Sequence, residues 1–383
     1  MISSKSLRVL QVTPRYRPHI GGVETHVYEV ARRMANAQID MTVLTTDPTG
    51  ALQPFERVEG VKIQRVRAWP MHQDYYFAPS VYSIIAHGQW DIVHCQCYHT
   101  LLAPLAMFAA WRAQIPYVVS FHSGGHSSAL RNALRGAQIA LLRPLFARAQ
   151  KLIAVSNFEA AFFREQIGVP AERIVVIPNG ASMPKVTLPP QQQATAPVIL
   201  SVGRLERYKG HHRVIAALPL ILQQRPGVRL KIIGSRPYKA ELQALVRRLQ
   251  LTDHVEIFAT PPGNRRGMAE LLPGAALVTL LSEYEAHPIS VMEALALRRS
   301  ILVANTSGLS ELAEQGLVRA IPLNSTPAQV AQAVLHLLRH PLAPPAIELP
   351  TWEGCTNALL KLYHTCQQQR PDPCPDAPLL SKI

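Results

Sequence analysis

Short runs of aliphatic and β-branched residues recur along this chain, each followed by a stretch in which apolar residues return every three or four positions. The first run, 8–13 (RVLQVT), leads through a loop bearing Pro and Gly into a segment with Val27, Val30, Ala31 and Met34 at i, i+3, i+4 and i+7. That spacing gathers all four on one helix face. Runs at 41–46, 91–96, 117–122, 151–156 and 174–180 continue the series. Residues 186–197 interrupt it with a Pro- and Gln-rich stretch of no periodicity, which reads as a linker. The alternation restarts with runs at 198–203, 229–234, 255–260, 276–281 and 300–305. The pattern predicts an α/β protein of two doubly wound parallel-sheet domains, 1–185 and 198–346, facing across a cleft. Ligands of such folds sit outside the carboxyl ends of the strands, so the loops after strands are where function is expected. Residues 347–367 read as one more amphipathic helix and 368–383 as a disordered tail.

Composition narrows the partners. At ~150 residues per domain, 383 residues suit two or three domains. Hydrophobic residues at 48% against 17% charged exclude general disorder. The 39 Lys+Arg against 25 Asp+Glu leave +14, pointing to nucleic acid, a phosphorylated ligand or an acidic lipid surface. Aromatic content of 6%, with no cation run interleaved with aromatics, argues against a nucleic-acid stacking platform. Five scattered cysteines, Cys95, Cys97, Cys355, Cys366 and Cys374, form no disulfide framework and suit a reducing cytoplasm. The N-terminal apolar stretch is too short for a signal peptide, and no run reaches the ~18 apolar residues of a membrane span, so any membrane contact is expected to be peripheral. Segment 129–151 carries Arg131, Arg135, Arg143, Arg148 and Lys151 among apolar residues. It reads either as a helix on an anionic membrane or as one packed on the first sheet with a basic outer face, and the second is favoured because an apolar stripe is normally core.

Two strand-to-helix junctions carry candidate chemistry. SEYEAHPISVMEAL (282–295) puts Glu285 in a loop and Glu293 in the helix beyond, with Pro288 suited to an early helical position. The helix N-terminus then faces the cleft and can hold an anion. Alone, two such carboxylates also look like a solvated helix and a loop charge. SVGRLERYKG (201–210) supplies Arg204 and Lys209, a planar fork and a compact charge suited to phosphoryl oxygens, with Gly203 and Gly210 permitting close approach. Surface cations are common in a basic chain, but both junctions fall at strand ends of the same domain. His94, Cys95, Cys97 and His99 crowd one strand end, yet alternation puts the two cysteines on one face with no second pair at zinc spacing. They read as buried thiols, and no metal is assigned. Neither a Walker loop nor a nucleophile elbow occurs.

In order and spacing these segments resemble the retaining GT-B glycosyltransferases of family four, the glycogen-synthase and mannosyltransferase-like group 1, over nearly the whole chain. Gly21-Gly22-Val23-Glu24 resembles the family's N-terminal glycine loop, and AVSN (154–157) with VIPNG (176–180) its domain-closing segment. SVGRL followed by KG resembles the diphosphate loop and SEYEAHPISVMEAL the spaced-glutamate motif. Trp352-Glu353 resembles the start of a terminal helix that packs back on the first domain. The resemblance implies two Rossmann-like domains and transfer of a sugar from a nucleotide diphosphate sugar to an acceptor hydroxyl, with no metal or other cofactor. By position it implies that Arg204 and Lys209 hold the diphosphate, that Glu285 orients the sugar, that Glu293 binds the ribose, and that His122 approaches sugar and acceptor from the other wall. Gly21 and Gly22 let the first helix N-terminus near the phosphates, and Gly203, Gly234 and Arg236 complete the donor side.

The chain departs from the family at Glu285-Ala286-His287-Pro288, where Glu-Gly-Phe-Gly is common; Pro288 lacks an N–H and withdraws one donor. It departs again at Gly234-Ser235-Arg236, where Gly-x-Gly is usual, which puts a cation near the base to stack on it or point into solvent. The resemblance implies an acceptor that is a glycolipid, a polysaccharide precursor or a small glycoside, handled in the cytoplasm or at the inner face of the membrane. A GT-B nucleotide-sugar epimerase and a non-catalytic nucleotide-sugar-binding protein are the rival readings.

Overall fold

The computed structural model describes residues 6–19, 21–71, 75–123, 133–181, 196–235, 237–259, 265–345 and 348–368. Arg236, residues 129–132, most of the expected linker and the tail beyond Gln368 lie outside the described residues. Eight strands build the first sheet: β1 (Arg8–Thr13), β2 (Asp40–Thr46), β3 (Phe55–Val58), β4 (Val61–Val66), β5 (Ile92–Gln96), β6 (Tyr117–Ser120), β7 (Lys151–Ala154) and β8 (Ile174–Val176). Their order is β3-β4-β2-β1-β5-β6-β7-β8, parallel except for the β3–β4 hairpin. The second sheet holds β9 (Val198–Val202), β10 (Arg229–Ile233), β11 (Val255–Phe258), β12 (Leu277–Leu280), β13 (Ile301–Asn305) and β14 (Arg319–Pro322), ordered β11-β10-β9-β12-β13-β14 and wholly parallel.

In each sheet the chain winds outward from the first strand and then returns to its other side, so β1 lies between β2 and β5, and β9 between β10 and β12. These are topological switch points, where the flanking loops diverge and open a crevice at the carboxyl ends. Strands are buried on both faces. In the first domain Leu10, Val93, Cys95 and Val119 pack on one side, where the helix Leu102–Arg112 contributes Ala103, Ala106 and Met107. Val9, Val43 and Val118 pack on the other, against Val27, Val30, Ala31 and Met34 of the helix Gly22–Asn36. The terminal helix Trp352–Gln368 joins this second face through Cys355, Leu359 and Tyr363, and Tyr363 Oη lies 2.5 Å from His94 Nδ1.

Three strands escape the sequence pattern. In β4 the apolar residues Val61 and Ile63 alternate with Lys62 and Gln64, β3 is largely exposed, and β14 ends on Pro322. Several predicted runs also end early. The run 117–122 stops at Ser120 because the backbone turns out at His122, which has φ +43. The run 174–180 stops at Val176, ahead of Pro178. Pro288 is the residue before the helix Ile289–Ala296, not within it. Cys95 and Cys97 do not share a face: Cys95 is in the core, whereas Cys97 lies past the strand with φ +67 and lines the cleft. Segment 129–151 forms the helix Arg135–Arg148, packed into the first core through Ile139, Leu142 and Phe146, and then β7.

Candidate active site

The loops at the two sets of strand ends enclose a cavity of about 680 Å³. Gly21, Gly22, His122, Gly203, Arg204, Lys209, Gly234, Glu285 and Glu293 all line it. Arg236 is outside the described residues. The site therefore assembles from segments more than 270 residues apart only because both switch points face the same space.

On the second-domain wall Lys209 Nζ lies 2.5 Å from Glu285 Oε1, both side chains nearly buried. Burial opposes the ammonium's charge, but the Glu285 carboxylate outweighs it and holds the Lys209 pKa above its ordinary value. Arg204 donates to Tyr208 Oη at 2.6 Å and pairs with Glu206 at 3.1 Å. The loop carrying both cations is fixed from beneath by His211, whose Nδ1 is 2.8 Å from Ser201 Oγ and whose Nε2 is 3.2 Å from the Arg204 carbonyl. Burial lowers the His211 pKa to about 4, so the imidazole is neutral. The Glu285 N–H donates to Ser307 Oγ at 2.8 Å, which pins this loop to the start of the helix Ser307–Glu314. Glu293 is buried in the helix Ile289–Ala296, whose first turn also lines the cavity and presents an N-terminus suited to an anion.

Two glycines act on the protein itself. Gly210 has φ +75, and a Cβ there would lie 1.9 Å from the Leu281 carbonyl oxygen. A Cβ on Gly234 would lie 1.9 Å from the Gly203 carbonyl oxygen, so Gly234 lets the loops after β9 and β10 touch. Gly210→Ala is expected to lower stability by about 1–3 kcal/mol and to misplace Lys209. Urea denaturation checks it, and an unchanged midpoint would contradict the close approach.

On the first-domain wall His122 Nε2 is 2.9 Å from Gln96 Oε1. A carbonyl oxygen only accepts, so Nε2 carries the proton and Nδ1 keeps its lone pair. Burial drives the His122 pKa well below its ordinary value. Beside it, Arg15 pairs with Glu24 at 3.2 Å near the N-terminus of the helix Gly22–Asn36. The sequence reading gave no weight to Arg15 and placed Arg135 only in the basic segment 129–151, and the fold brings both to the cavity. Tyr284 Oη meets Ser123 Oγ at 2.9 Å across the domains, and Ser123 donates in turn to the buried Glu159 at 2.5 Å. A second crossing is made by Glu311, which accepts from Asn157 Nδ2 at 2.8 Å and Phe158 N at 3.1 Å at a helix start. A third runs from Asn179 Nδ2 to the His287 carbonyl at 3.2 Å.

Chemically, one wall offers two cations with carboxylates behind them, and the other a neutral histidine and a helix N-terminus. That suits a diphosphate on the first wall and hydroxyl groups between the two. Among the described residues no group of three His, Cys, Asp or Glu side chains is placed to hold a metal ion.

Known proteins share this architecture. The family model described as Glycosyltransferase Family 4 matches residues 20–183, and that described as Glycosyl transferases group 1 matches 188–347. A D-inositol 3-phosphate glycosyltransferase of Nocardiopsis dassonvillei is 26% identical over 91% of both chains. A GDP-mannose:cellobiosyl-diphosphopolyprenol alpha-mannosyltransferase of Xanthomonas oryzae is 28% identical over 76% of both. The sucrose-phosphate synthase of Thermosynechococcus elongatus superposes with a TM-score of 0.75 at 18% identity, covering 94% of this chain and 98% of its own, a likeness of fold. Two matched models spanning both sheets, the GT-B architecture and the shared cleft place this chain in the group 1 glycosyltransferases with a family 4 first domain, enzymes that use a nucleotide sugar.

Proposed function

We propose that the chain is a retaining, metal-independent transferase that moves a hexosyl group from a nucleotide diphosphate sugar to a hydroxyl of a glycolipid, polysaccharide precursor or small glycoside. The observation that carries this reading is the meeting of Arg204 and the Lys209–Glu285 pair with His122 across one cavity. Arg204 and Lys209 take the diphosphate and offset the charge that grows on it as the glycosidic C–O bond breaks. Glu285 orients the sugar hydroxyls, Glu293 accepts from the ribose, and His122 accepts a hydroxyl proton at Nδ1 without taking it. The acceptor oxygen bonds to the anomeric carbon on the face the phosphate leaves, and its proton passes to that phosphate, so no side chain serves as nucleophile. The four described cysteines are buried free thiols, which supports a reducing compartment. Among the described residues no helix is long and apolar enough to cross a membrane.

The test is a panel of nucleotide diphosphate sugars with acceptors of the three classes, read by nucleotide diphosphate release and product anomer. Release coupled to a retained anomer is expected. Isomerised donor without transfer identifies an epimerase, and binding without release a non-catalytic protein. Because two cations do the work of a divalent ion, EDTA is expected to leave turnover unchanged; a loss restored by Mg²⁺ refutes that part.

A further inference from the structure

Every large hydrophobic side chain that stands exposed among the described residues belongs to the first domain. Three of them line the cavity, and others extend from those three across the surface. Trp69 and Phe77, each about half exposed, pair across a short antiparallel bridge. The loop between them brings in Tyr75, whose carbonyl accepts from the Leu101 N–H at 2.8 Å. Tyr75, Leu101 and Leu134 line the cavity itself. From Leu101 the exposed positions continue to Phe108 and Trp111 along the helix Leu102–Arg112. From Leu134 they continue to Leu141, which is 79% exposed, along the helix Arg135–Arg148. Seven residues are two turns, so each helix presents an apolar stripe that starts at the mouth. The stripes meet again at their far ends, where the Arg148 guanidinium lies 4.6 Å above the Trp111 ring.

A continuous apolar strip of this kind is rare on a protein that meets only water. The stretch of chain that carries Leu101, Phe108, Trp111, Leu134 and Leu141 is one-sided in charge: between Asp91 and Glu159 the sequence has six Lys and Arg residues and no carboxylate. Rings and aliphatic groups edged by arginine fit the headgroup boundary of an anionic bilayer, where the apolar groups enter and guanidinium groups stay at the phosphates.

We propose that this strip docks on an anionic lipid bilayer, setting the cavity mouth against it, and that the acceptor is a sugar-bearing lipid. Its headgroup enters past Tyr75, Leu101 and Leu134 while its apolar anchor stays in the bilayer. The docking face is not the inward stripe of the helix Arg135–Arg148, which is already core. The choice of acceptor rests on the transferase reading; the docking does not.

The full chain is floated with phosphatidylcholine vesicles, plain or containing about a third phosphatidylglycerol. Flotation with the anionic vesicles, weakened by salt, is expected. Trp69→Ser/Phe77→Ser and Phe108→Ser/Leu141→Ser are each expected to cut the partition about tenfold with the circular dichroism unchanged. The thermal shift given by UDP-glucose or GDP-mannose should be unaffected in both. Wild-type protein that stays down, or variants that float like wild type, overturns the docking. So does a wild-type dimer that these substitutions dissociate, since the strip is then a contact between copies. A chain that floats but transfers from no donor retains the docking and loses the transferase reading; one that transfers but does not float does the reverse.

Discussion

Lys209→Ala is expected to lower kcat/KM for sugar transfer by about 10²–10³-fold, or about 3–4 kcal/mol of transition-state stabilisation. The charge on the leaving diphosphate grows as the C–O bond breaks, so a cation facing it is worth more in the transition state than in the bound donor. The same substitution has a structural effect. It strands the Glu285 carboxylate, now 2.5 Å from the ammonium and nearly buried, and removing one partner of such a pair costs about 3–5 kcal/mol. The two effects separate in Lys209→Met/Glu285→Gln, where no buried charge is left alone. That double variant is expected to recover most of the lost urea midpoint while remaining inactive. If Lys209→Ala turns over within twofold of wild type, Lys209 does not face the diphosphate. If the double variant is as unstable as the single, Glu285 depends on partners other than Lys209.

The sequence carried the frame of this site well. The strands that matter, β1, β5, β6, β9 and β12, are predominantly apolar runs, and a parallel strand buried on both faces leaves that trace. Their loops follow directly, so Arg204, Lys209 and Glu285 could be placed at strand ends before their mutual distances were known. β3, β4 and β14 left no such trace, because β3 and β14 are edge strands and β4 lies beside β3, where exposed polar and charged positions such as Lys62 break the run. What stayed illegible was mostly pairwise. Nothing in the local sequence joins Ser123 to Tyr284, Asn157 to Glu311, or Tyr363 to His94; each contact spans more than 150 residues and exists only through the packing of the two domains and the terminal helix. The roles of glycines shifted for the same reason. Gly234 reads as a ligand-facing residue until the Gly203 carbonyl is seen against it. The exposed apolar strip was missed because Leu101 with Phe108 and Leu134 with Leu141 share periodicity with the core positions of the same helices, and only burial tells the two faces apart.

Stability is expected to fall steeply between pH 7 and pH 5.5, by about 3 kcal/mol from three histidines alone. His26, His94 and His211 are fully buried, and burial lowers their pKa values to about 4, about 3 and about 4. In the unfolded chain each titrates near its ordinary value of about 6.5. Between that value and the folded one the unfolded state binds protons that the folded state refuses, so stability rises with pH through the window and levels off above it. Each imidazole contributes about 1 kcal/mol of the loss between pH 6.5 and pH 5.5. His122 and His287, also shifted down by burial, act in the same sense. Glu159 acts in the opposite sense: burial raises its carboxyl pKa, so its contribution is present at low pH and lost as pH rises. One carboxyl does not offset five imidazoles, and its window opens lower, near the ordinary carboxyl range. About 2 kcal/mol of this falls on the first domain through His26 and His94, with His122 acting in the same sense, a large part of the 5–15 kcal/mol that holds a typical domain together, so acid should open that domain well before general acid unfolding. Urea midpoints at pH 7, 6.5, 6 and 5.5 give the slope, and His94→Asn, which removes one titrating group, is expected to flatten it. A midpoint constant across that range would mean that these histidines reach water in the folded protein and that His122 is free to ionise in the cleft.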